Sequence, residues 1–398
     1  MEVKIDRLDH QGRGIANIDK ITFIPNTLPN EVVDIDIVES KSKYNIGKVN
    51  KYIEESGKRI KPICPYYSVC GGCDLMHISY DDETNYKENK VKDIMSRYAG
   101  ITNVDDIVKS DIELGYRNKI TLKVDKQLGL YEKESHQIVK IDKCLLVSDK
   151  MNNYIKILNT MNLDGVDEVI IRESVDDVII VFMCNKDVSI DISLLDCNVI
   201  KYYKEYSVLK GKDYIIDKIG DKLYKVSPAS FFQVNKENVK NLYDLVLSNL
   251  ELNKEDIVLD LYCGTGTIGI YVADLCRKVL GIEINKYAIK DAEYNKELNN
   301  TTNISFIAGD SKIIEKIDFK PNKIIVDPPR AGLDKKVIEE IIKFNPERIV
   351  YVSCDPMTLA RDLNILKEKY NIVKVIPVDM FPKTYHVENV AVLKRKDV

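Results

Sequence analysis

The sequence contains no apolar run of membrane-spanning length, and its first six residues lack the basic and then apolar build of a signal peptide. We therefore expect a cytoplasmic protein without a membrane partner. Disulfide bonds are not expected in that reducing compartment, so the nine cysteines indicate metal binding, catalysis or burial. Internal repeats and low-complexity linkers are also missing.

A strong positive charge is missing as well, because the formal net charge is −4 at pH 7. The protein is therefore not uniformly basic, although a nucleic-acid partner requires only local basic surface. The 398 residues are too many for one hydrophobic core. We predict three domains, over residues 1–55, 56–225 and 226–398.

The first 55 residues are predicted to form a five-stranded β-barrel. Gly and Pro-Asn breaks separate short apolar bursts at residues 3–5, 15–23, 32–38 and 46–53. Between Lys41 and Lys61, seven basic residues stand against two acidic ones, and Tyr44 and Tyr52 lie among them. Such a face can hold a phosphate backbone and stack bases, although an ordinary solvated face has the same composition.

Four cysteines form a candidate metal site. Cys64, Cys70 and Cys73 follow the spacing C-x5-C-x2-C, and Cys144 lies far downstream. Four thiolates suit tetrahedral zinc or an iron–sulfur cluster. Structural zinc more often pairs two C-x2-C knuckles and only one is present, so the spacing favours a 4Fe–4S cluster.

The third region alternates short apolar strands with helical patterns, including a helix predicted over residues 270–277. Seven strands are predicted, at 257–260, 279–283, 304–308, 323–327, 349–353, 372–378 and 390–395. This alternation is typical of an α/β fold with a doubly wound sheet and helices on both faces.

The first of these strands runs into a glycine loop. Gly264 and Gly266 follow the pattern G-x-G-x-x-G, and Glu283 ends the second strand 19 residues after Gly264. A glycine turn brings the backbone close to a ligand, and a carboxylate at the end of the second strand accepts hydrogen bonds from two ribose hydroxyls. Dinucleotides and adenosyl cofactors both use this geometry.

A thiol and a carboxylate are predicted at the same edge of the sheet. Cys354 follows a buried strand that Pro356 stops, so its thiol lies at a strand's carboxyl end, where open α/β sheets bind ligands. Asp327 begins a rigid Asp-Pro-Pro-Arg turn after another strand. Methyl transfer to a poorly nucleophilic ring carbon needs this pair, whereas hydride transfer does not. A buried structural cysteine and a plain strand-ending turn are the alternatives.

Taken with these motifs, the chain resembles the RNA (uracil-5-)-methyltransferase family over its whole length, in particular the iron–sulfur branch that acts on ribosomal RNA. The resemblance implies a class I, Rossmann-like, seven-stranded methyltransferase domain, an N-terminal OB-type TRAM β-barrel and a central α+β iron–sulfur domain. It implies S-adenosylmethionine and a 4Fe–4S cluster as cofactors. The expected partner is RNA, with 23S rRNA as the substrate of a monomeric enzyme.

The resemblance also implies roles for single residues. Cys354, in Ser-Cys-Asp-Pro, matches the nucleophile, and Glu388, in His-Val-Glu, matches the base. The cluster ligands would be Cys64, Cys70, Cys73 and Cys144. Contacts to S-adenosylmethionine are expected from Gln233, Tyr262, Gly264, Thr267, Glu283, Asp310 and Asp327. Lys383 departs from the family pattern, in which histidine or glutamine is more usual.

The chemistry calls for the same nucleophile and base. Uracil C5 becomes nucleophilic only after a thiolate adds to C6, and the C5 proton must then leave. We therefore expect a nearby dipole or cation to lower the pKa of Cys354. The target nucleobase has to be extruded from the RNA, which costs least free energy in a loop or bulge.

Three other functions remain open from the sequence. They are a tRNA uracil-5 methyltransferase, a nicotinamide-dependent enzyme and a non-catalytic RNA-binding module. No feature of the sequence identifies the target uridine.

Overall fold

The computed structural model describes residues 1–133, 135–316 and 320–396. Within these ranges the strands form one six-stranded sheet, two seven-stranded sheets and a two-stranded hairpin. In the same ranges, no helix combines the length and the apolar character that crossing a membrane requires.

The N-terminal sheet has six strands in the order β1-β5-β6-β4-β3-β2. They are β1 (Glu2–Lys4), β2 (Arg7–Leu8), β3 (Gly14–Asn17), β4 (Ile21–Ile24), β5 (Val32–Ser40) and β6 (Tyr44–Glu54). The prediction of five strands was wrong in number, because the short strand β2 (Arg7–Leu8) lies outside the predicted apolar bursts. The burst over 15–23 forms an antiparallel hairpin with Asn17 opposite Ile21. Ile5, Ile24 and Val33 are among the side chains that fill its core.

The tyrosines of the basic segment take part in internal contacts. The Tyr52 hydroxyl donates to the Asn26 carbonyl at 2.8 Å, and the Arg59 guanidinium lies 4.3 Å from the Tyr52 ring centroid. Arg59 in turn donates to Glu31, whose side chain is buried. The ring of Tyr44 packs edge-on against another aromatic side chain. These rings therefore belong to the barrel's own packing.

The described residues of the middle of the chain form two helices and nine strands. The helices are α1 (Tyr80–Ile94), extended by a π-helical turn (Met95–Ala99), and α2 (Asp149–Leu158). The sheet, in the order β13-β12-β11-β10-β7-β8-β9, contains β7 (Lys119–Asp125), β8 (Gln127–Tyr131), β9 (Ile138–Lys140), β10 (Val166–Glu173), β11 (Val178–Cys184), β12 (Asn198–Tyr203) and β13 (Glu205–Lys210). A hairpin of β14 (Ile215–Ile219) and β15 (Lys222–Val226) follows.

The C-terminal region is a doubly wound α/β sheet, as the sequence predicts. Its strands, in the order β18-β17-β16-β19-β20-β22-β21, are β16 (Ile257–Leu261), β17 (Lys278–Glu283), β18 (Ile304–Ala308), β19 (Lys323–Val326), β20 (Arg348–Ser353), β21 (Tyr370–Val378) and β22 (Glu388–Arg395). Its helices are α3 (Asn238–Leu250), α4 (Thr267–Ala273), α5 (Lys286–Leu298), α6 (Lys335–Phe344) and α7 (Pro356–Leu366), with a 3₁₀ turn at Ser311–Lys316.

This sheet is mostly parallel, with one reversed strand. Every residue of β19 and β20 is buried, as expected where helices cover both faces. Strand β22 runs antiparallel between β20 and β21. The helix predicted over 270–277 begins earlier, because Gly266 at φ +75° turns the chain directly into α4.

Helix α1 connects the middle region to the C-terminal sheet. Val91 and Ile94 pack in one core with Leu363 of α7. One turn earlier, the buried Lys87 Nζ lies 2.7 Å from Glu83 Oε1 and 2.8 Å from Asp379 Oδ1. Removing one partner from such a buried ionic network costs about 3–5 kcal/mol. The network therefore holds the segment before β22 firmly against α1.

Candidate active site

Cys354 lies in the turn between β20 and α7. The Asp355 side chain caps α7, since its Oδ1 accepts from the Met357 N–H at 2.9 Å and the Thr358 N–H at 3.0 Å. Pro356 occupies the first turn of that helix. The strand end and the cap together hold the Cys354 thiol, half-buried, at the carboxyl edge of the sheet.

Glu388 lies opposite Cys354 because of strand register. In the β20–β22 pair the last matched residues are Ser353 and Asn389, so the next residue of each strand, Cys354 and Glu388, meet at the end of the ladder. The Asn389 side-chain amide donates to the Ser353 carbonyl at 3.2 Å and fixes this register. The side chain of Glu388 is buried, and its Oε2 has no hydrogen-bond partner among the described residues.

The predicted lowering of the Cys354 pKa was wrong for this structure. Burial, and then the negative charge of Glu388, raise the pKa of the thiol to about 12, while Arg330 opposes the shift. Burial and the charge of Asp327 likewise raise the pKa of Glu388 to about 8, and Arg330 again opposes. The sequence predicts a cation near the thiol and Glu388 as the base, but it does not indicate that the charge of Glu388 raises the pKa of the thiol.

Alkylation of Cys354 should report this raised pKa. Without substrate, its alkylation rate by iodoacetamide should still increase about tenfold per pH unit between about pH 7 and about pH 10, because the thiolate fraction has not levelled off. Glu388→Gln should lower the apparent pKa by removing a nearby negative charge. Mass spectrometry of the Cys354 peptide measures both, and a plateau at or below about pH 8.5, the value of a free thiol, would contradict the assignment.

Cys354 lines a cavity of about 370 Å³ that three parts of the chain form. We call it the catalytic cavity. The C-terminal sheet contributes Cys354 and Arg330, helix α1 contributes Lys90, and the loop between β2 and β3 contributes His10 and Gln11. The cavity is large enough for a pyrimidine ring. Its walls therefore unite the barrel, the middle region and the sheet.

The glycine loop forms the neighbouring part of the same sheet edge. The Gly264 N–H donates to Glu283 Oε2 at 3.1 Å, and Glu283 Oε1 accepts from the Asn285 N–H at 2.8 Å. Gly264 has φ +55°, and a Cβ placed on it would meet no atom within 4 Å. The loop therefore faces open space beside the carboxylate, as a cofactor-binding turn requires.

The other predicted cofactor residues surround this loop. Tyr262, at φ +62°, accepts a hydrogen bond from Ser311 at 2.9 Å. The Thr267 hydroxyl at the start of α4 lies 2.6 Å from the Tyr243 hydroxyl. Asp310 is exposed after β18, and its Oδ1 accepts from the Lys312 N–H. Gln233 is buried, and its carbonyl accepts from Asn118 at 3.0 Å.

Asp327 follows β19, which lies between β16 with its glycine loop and β20 with the Cys354 turn. Burial raises its pKa to about 7, and its charge contributes to the raised pKa values of Asp260, about 8, and Glu388. Several carboxyl groups thus share one poorly solvated region. Such a region attracts a positively charged ligand.

The four predicted metal-ligating cysteines come together around a separate cavity of about 330 Å³. It is lined by Cys64, Cys70, Cys73 and Cys144 together with the cations Arg117 and Lys119. Burial, and then the charge of Cys144, raise the pKa of Cys73, which reflects how close these thiols are. Over the described residues, however, no group of three or more His, Cys, Asp or Glu side chains has an arrangement suited to holding a metal ion.

Lys383, the residue that departs from the family pattern, has a structural partner. It adopts φ +69°, and its buried Nζ lies 2.5 Å from Glu113 and 3.5 Å from Glu83. The departure is therefore accommodated by two carboxylates on other segments.

Sequence reasoning missed several residues of the catalytic cavity. Arg330 was visible in the Asp-Pro-Pro-Arg turn, but that motif indicated only its carboxylate. Lys90 carried no local signal; burial and the charge of Lys87 lower its pKa to about 7, and its Nζ donates to the Tyr385 carbonyl at 2.6 Å. Gln11 lies about 340 residues from Cys354 in the sequence, and only the fold brings the two to one cavity.

A seven-stranded sheet with one antiparallel strand and a glycine loop at its carboxyl edge defines the Rossmann-like class of methyltransferase folds. Comparison with known proteins narrows this class. The family model described as tRNA (uracil-5-)-methyltransferase matches residues 155–396, and the TRAM domain model matches residues 1–49. The chain therefore belongs to the tRNA (uracil-5-)-methyltransferase family.

Similar proteins match along their whole length. Uncharacterised RNA methyltransferases from Clostridium tetani and Staphylococcus epidermidis are 36% and 34% identical; the matches cover 96% and 99% of this chain, and 94% and 97% of theirs. The crystal structure of the Pyrococcus abyssi tRNA (uracil-54, C5)-methyltransferase in complex with S-adenosyl-L-homocysteine has a TM-score of 0.82 and 28% identity. That match covers 99% of this chain and 100% of the other.

Proposed function

We propose that this protein is an RNA (uracil-5-)-methyltransferase that moves a methyl group from S-adenosylmethionine to C5 of one uridine. The observation that carries the proposal is the meeting of Cys354 and Glu388 at the end of the β20–β22 ladder. Cys354 lines the catalytic cavity, Glu388 is buried behind it, and the glycine loop follows β16 of the same sheet. This reaction needs a thiol, a carboxylate and a glycine turn that can bind an adenosyl group, and all three lie at one edge of the sheet.

The proposed reaction has three steps. The Cys354 thiol gives up its proton to solvent, and its sulfur bonds to uracil C6 while the C5–C6 π electrons move toward O4. Carbon C5 then takes the methyl group, and the sulfonium donor leaves as a neutral thioether. Glu388 finally removes the C5 proton, the C5–C6 double bond re-forms, and the Cys354 thiolate is expelled.

The raised pKa values fit a site that is activated by positive charge. Arg330 already favours the ionised forms of Cys354 and Glu388. S-adenosylmethionine brings the methyl group and a sulfonium cation, and a cation close to these groups lowers their pKa values further. In this proposal Gly264 and Glu283 hold the adenosine, while Gln233, Tyr262, Thr267, Asp310 and Asp327 complete the cofactor site.

The proposed RNA substrate is 23S rRNA, because the cysteine pattern resembles the rRNA branch of the family. A tRNA target is the second candidate, since the similar Pyrococcus abyssi enzyme is a tRNA (uracil-54, C5)-methyltransferase. Mass mapping of 5-methyluridine in total RNA from cells lacking this protein decides between them. One uridine should lose its methyl group, and purified protein should restore it; unchanged 5-methyluridine in both RNA classes would contradict the proposal.

A nicotinamide-dependent enzyme would share the glycine loop and the acidic strand end. Equilibrium binding separates the two functions, because the proposed enzyme binds S-adenosylmethionine and not a dinucleotide. Binding of NAD with no binding of S-adenosylmethionine would favour the oxidoreductase.

We propose that Cys64, Cys70, Cys73 and Cys144 hold a 4Fe–4S cluster. Four soft sulfur donors around a cavity of about 330 Å³ suit a body larger than one ion, and Arg117 and Lys119 complement the negative charge of thiolates. Methyl transfer needs no electrons, so the cluster's proposed part is to shape the surrounding loops and the RNA surface.

Replacing Cys70 with alanine should test this part of the proposal. We expect a lower content of iron and sulfide, and either a lower yield of folded protein or weaker RNA binding, because the loop at residues 70–73 loses a fixed point. S-adenosylmethionine binding should remain measurable. Cys197→Ala, at a partly exposed thiol with no proposed role, is the control. Unchanged iron content, stability and RNA affinity in Cys70→Ala would contradict the proposed cluster.

A further inference from the structure

A further cavity, of about 380 Å³ and distinct from the cavity of the four cysteines, lies beside the catalytic cavity and has no part in the reaction described above. We call it the side cavity. The loop between β2 and β3, the cysteine loop at residues 70–73 and the end of β8 form its walls. Tyr385 and Gln11 line both cavities, so the two cavities are neighbours that share these two residues.

The barrel loop at this boundary is held rigidly. Asp9 Oδ1 accepts from the Gln11 N–H at 2.9 Å and from the Arg13 N–H at 2.8 Å, and the Asp9 carbonyl accepts from the Tyr86 hydroxyl of α1 at 2.8 Å. Gly12 has φ +75°, and a Cβ there would lie 2.8 Å from a methyl carbon of Leu75. The loop therefore fits closely against the middle region, and the side cavity is preformed.

The opposite wall is fixed by the cysteine loop. The Gly71 N–H donates to the Tyr131 carbonyl at 2.9 Å, which joins the loop to the end of β8. Gly72 lines both the side cavity and the cavity of the four cysteines. The side cavity thus lies between the proposed catalytic and cluster sites.

The lining groups suit a nucleotide. Glu132 lines the cavity, and a carboxylate accepts hydrogen bonds, as from the exocyclic amine of a base. Tyr131 and Tyr385 also line it, and every nucleobase can stack on a tyrosine ring. Two cationic side chains also line the cavity and can contact a phosphate: Arg13, which is paired with Asp9 at 2.7 Å, and Lys133, whose Nζ donates to Asn26 Oδ1 at 2.8 Å.

We propose that the side cavity binds a second nucleotide of the substrate RNA, close in sequence to the target uridine and carrying an exocyclic amine on its base. In this proposal the target nucleobase enters the catalytic cavity and the adjoining RNA passes Tyr385 and Gln11, which line both cavities. The side cavity receives one of those neighbours, adenine, cytosine or guanine rather than uracil, and thereby contributes to the choice of target. This inference rests on the proposed function, because it needs an RNA that is methylated.

A double-mutant cycle between protein and RNA tests the inference. The protein variants are Tyr131→Ala and Glu132→Gln, which lie in the side cavity but not in the catalytic cavity. The RNA variants carry an abasic nucleotide at each position flanking the mapped target uridine in a synthetic oligonucleotide. Gln127→Ala, at the far end of β8, is the matched control.

We expect Tyr131→Ala to lower kcat/KM about tenfold, the size of one lost base–aromatic stack. An abasic nucleotide at one flanking position should lower kcat/KM of the wild-type enzyme by a similar factor. Combining that RNA with Tyr131→Ala should lower kcat/KM no further than either change alone. Replacing that base with its deaminated counterpart should reproduce the loss in wild type but not in Glu132→Gln. The single-turnover rate at saturating RNA and S-adenosylmethionine binding should stay within about twofold of wild type, which separates this role from a folding defect.

Two other outcomes overturn the inference. In the first, wild-type protein methylates the oligonucleotide, but the losses in kcat/KM multiply for every pair of protein and RNA variants, or neither protein variant loses activity. The side cavity then binds no nucleotide, and the proposed function stands. If wild-type protein methylates no RNA at all, the proposed function fails and this inference fails with it.

Discussion

Replacing Cys354 with alanine should lower methyl transfer to RNA by more than about 10⁴-fold, because the reaction loses the only step that makes uracil C5 nucleophilic. Binding of S-adenosylmethionine and of RNA should persist, since the thiol is half-buried at the edge of the sheet and the change removes one atom. Transfer of a tritiated methyl group to RNA from cells lacking the protein measures the rate, and filter binding measures the affinity.

The control for this variant is Cys197→Ala, which removes a thiol far from the site in sequence and should keep full activity. A Cys354→Ala enzyme that methylates RNA within about tenfold of wild type would contradict covalent catalysis. Loss of activity together with loss of cofactor binding would instead indicate a structural cysteine, which was the alternative reading of this residue.

Glu388→Gln should slow turnover by about 10²- to 10⁴-fold and should also change what accumulates. The amide cannot take the C5 proton, so the sulfur–C6 bond forms, the methyl group transfers, and the adduct does not break down. A covalent complex of protein and methylated RNA should therefore be visible on a denaturing gel with ordinary uridine in the RNA.

This variant should not lose stability. Burial raises the pKa of Glu388 to about 8, above the value of about 4.3 for an unfolded glutamate, so ionising it opposes folding increasingly from about pH 4 to about pH 8. The neutral amide avoids that cost, and Glu388→Gln should melt no lower than wild type at pH 8. Glu297→Gln, at an exposed glutamate of α5, should match wild type in rate and form no adduct. Slow turnover of Glu388→Gln without any adduct would assign proton removal to another group.

The strands of the C-terminal sheet were predictable because they are short, apolar and rich in β-branched residues. The predicted strand 257–260 corresponds to β16 (Ile257–Leu261), and the predicted 279–283 differs by one residue from β17 (Lys278–Glu283). The hairpin within 15–23 was not predictable from hydrophobicity, since its turn lies inside one apolar burst. The boundaries of the three domains stay predictions.

The pairing of Cys354 with Glu388 was predictable only by resemblance, and its electrostatic consequence was not. Strand register brings together residues 34 positions apart, and the carboxylate then raises the thiol's pKa instead of lowering it. Local sequence patterns also do not indicate the environment of Lys90. A lysine on a helix rich in charged residues is expected to be exposed to solvent, but packing against Tyr385 buries it. Long-range contacts decide such features, and single-sequence patterns do not contain them.

The most direct test of covalent catalysis uses RNA in which uridine is replaced by 5-fluorouridine. Fluorine at C5 cannot leave as a proton does, so a thiolate added at C6 stays bonded after methyl transfer. Covalent catalysis by Cys354 predicts a stable protein–RNA adduct that forms only with S-adenosylmethionine and that peptide mass mapping assigns to Cys354. The absence of an adduct, or an adduct at any other residue, would contradict it.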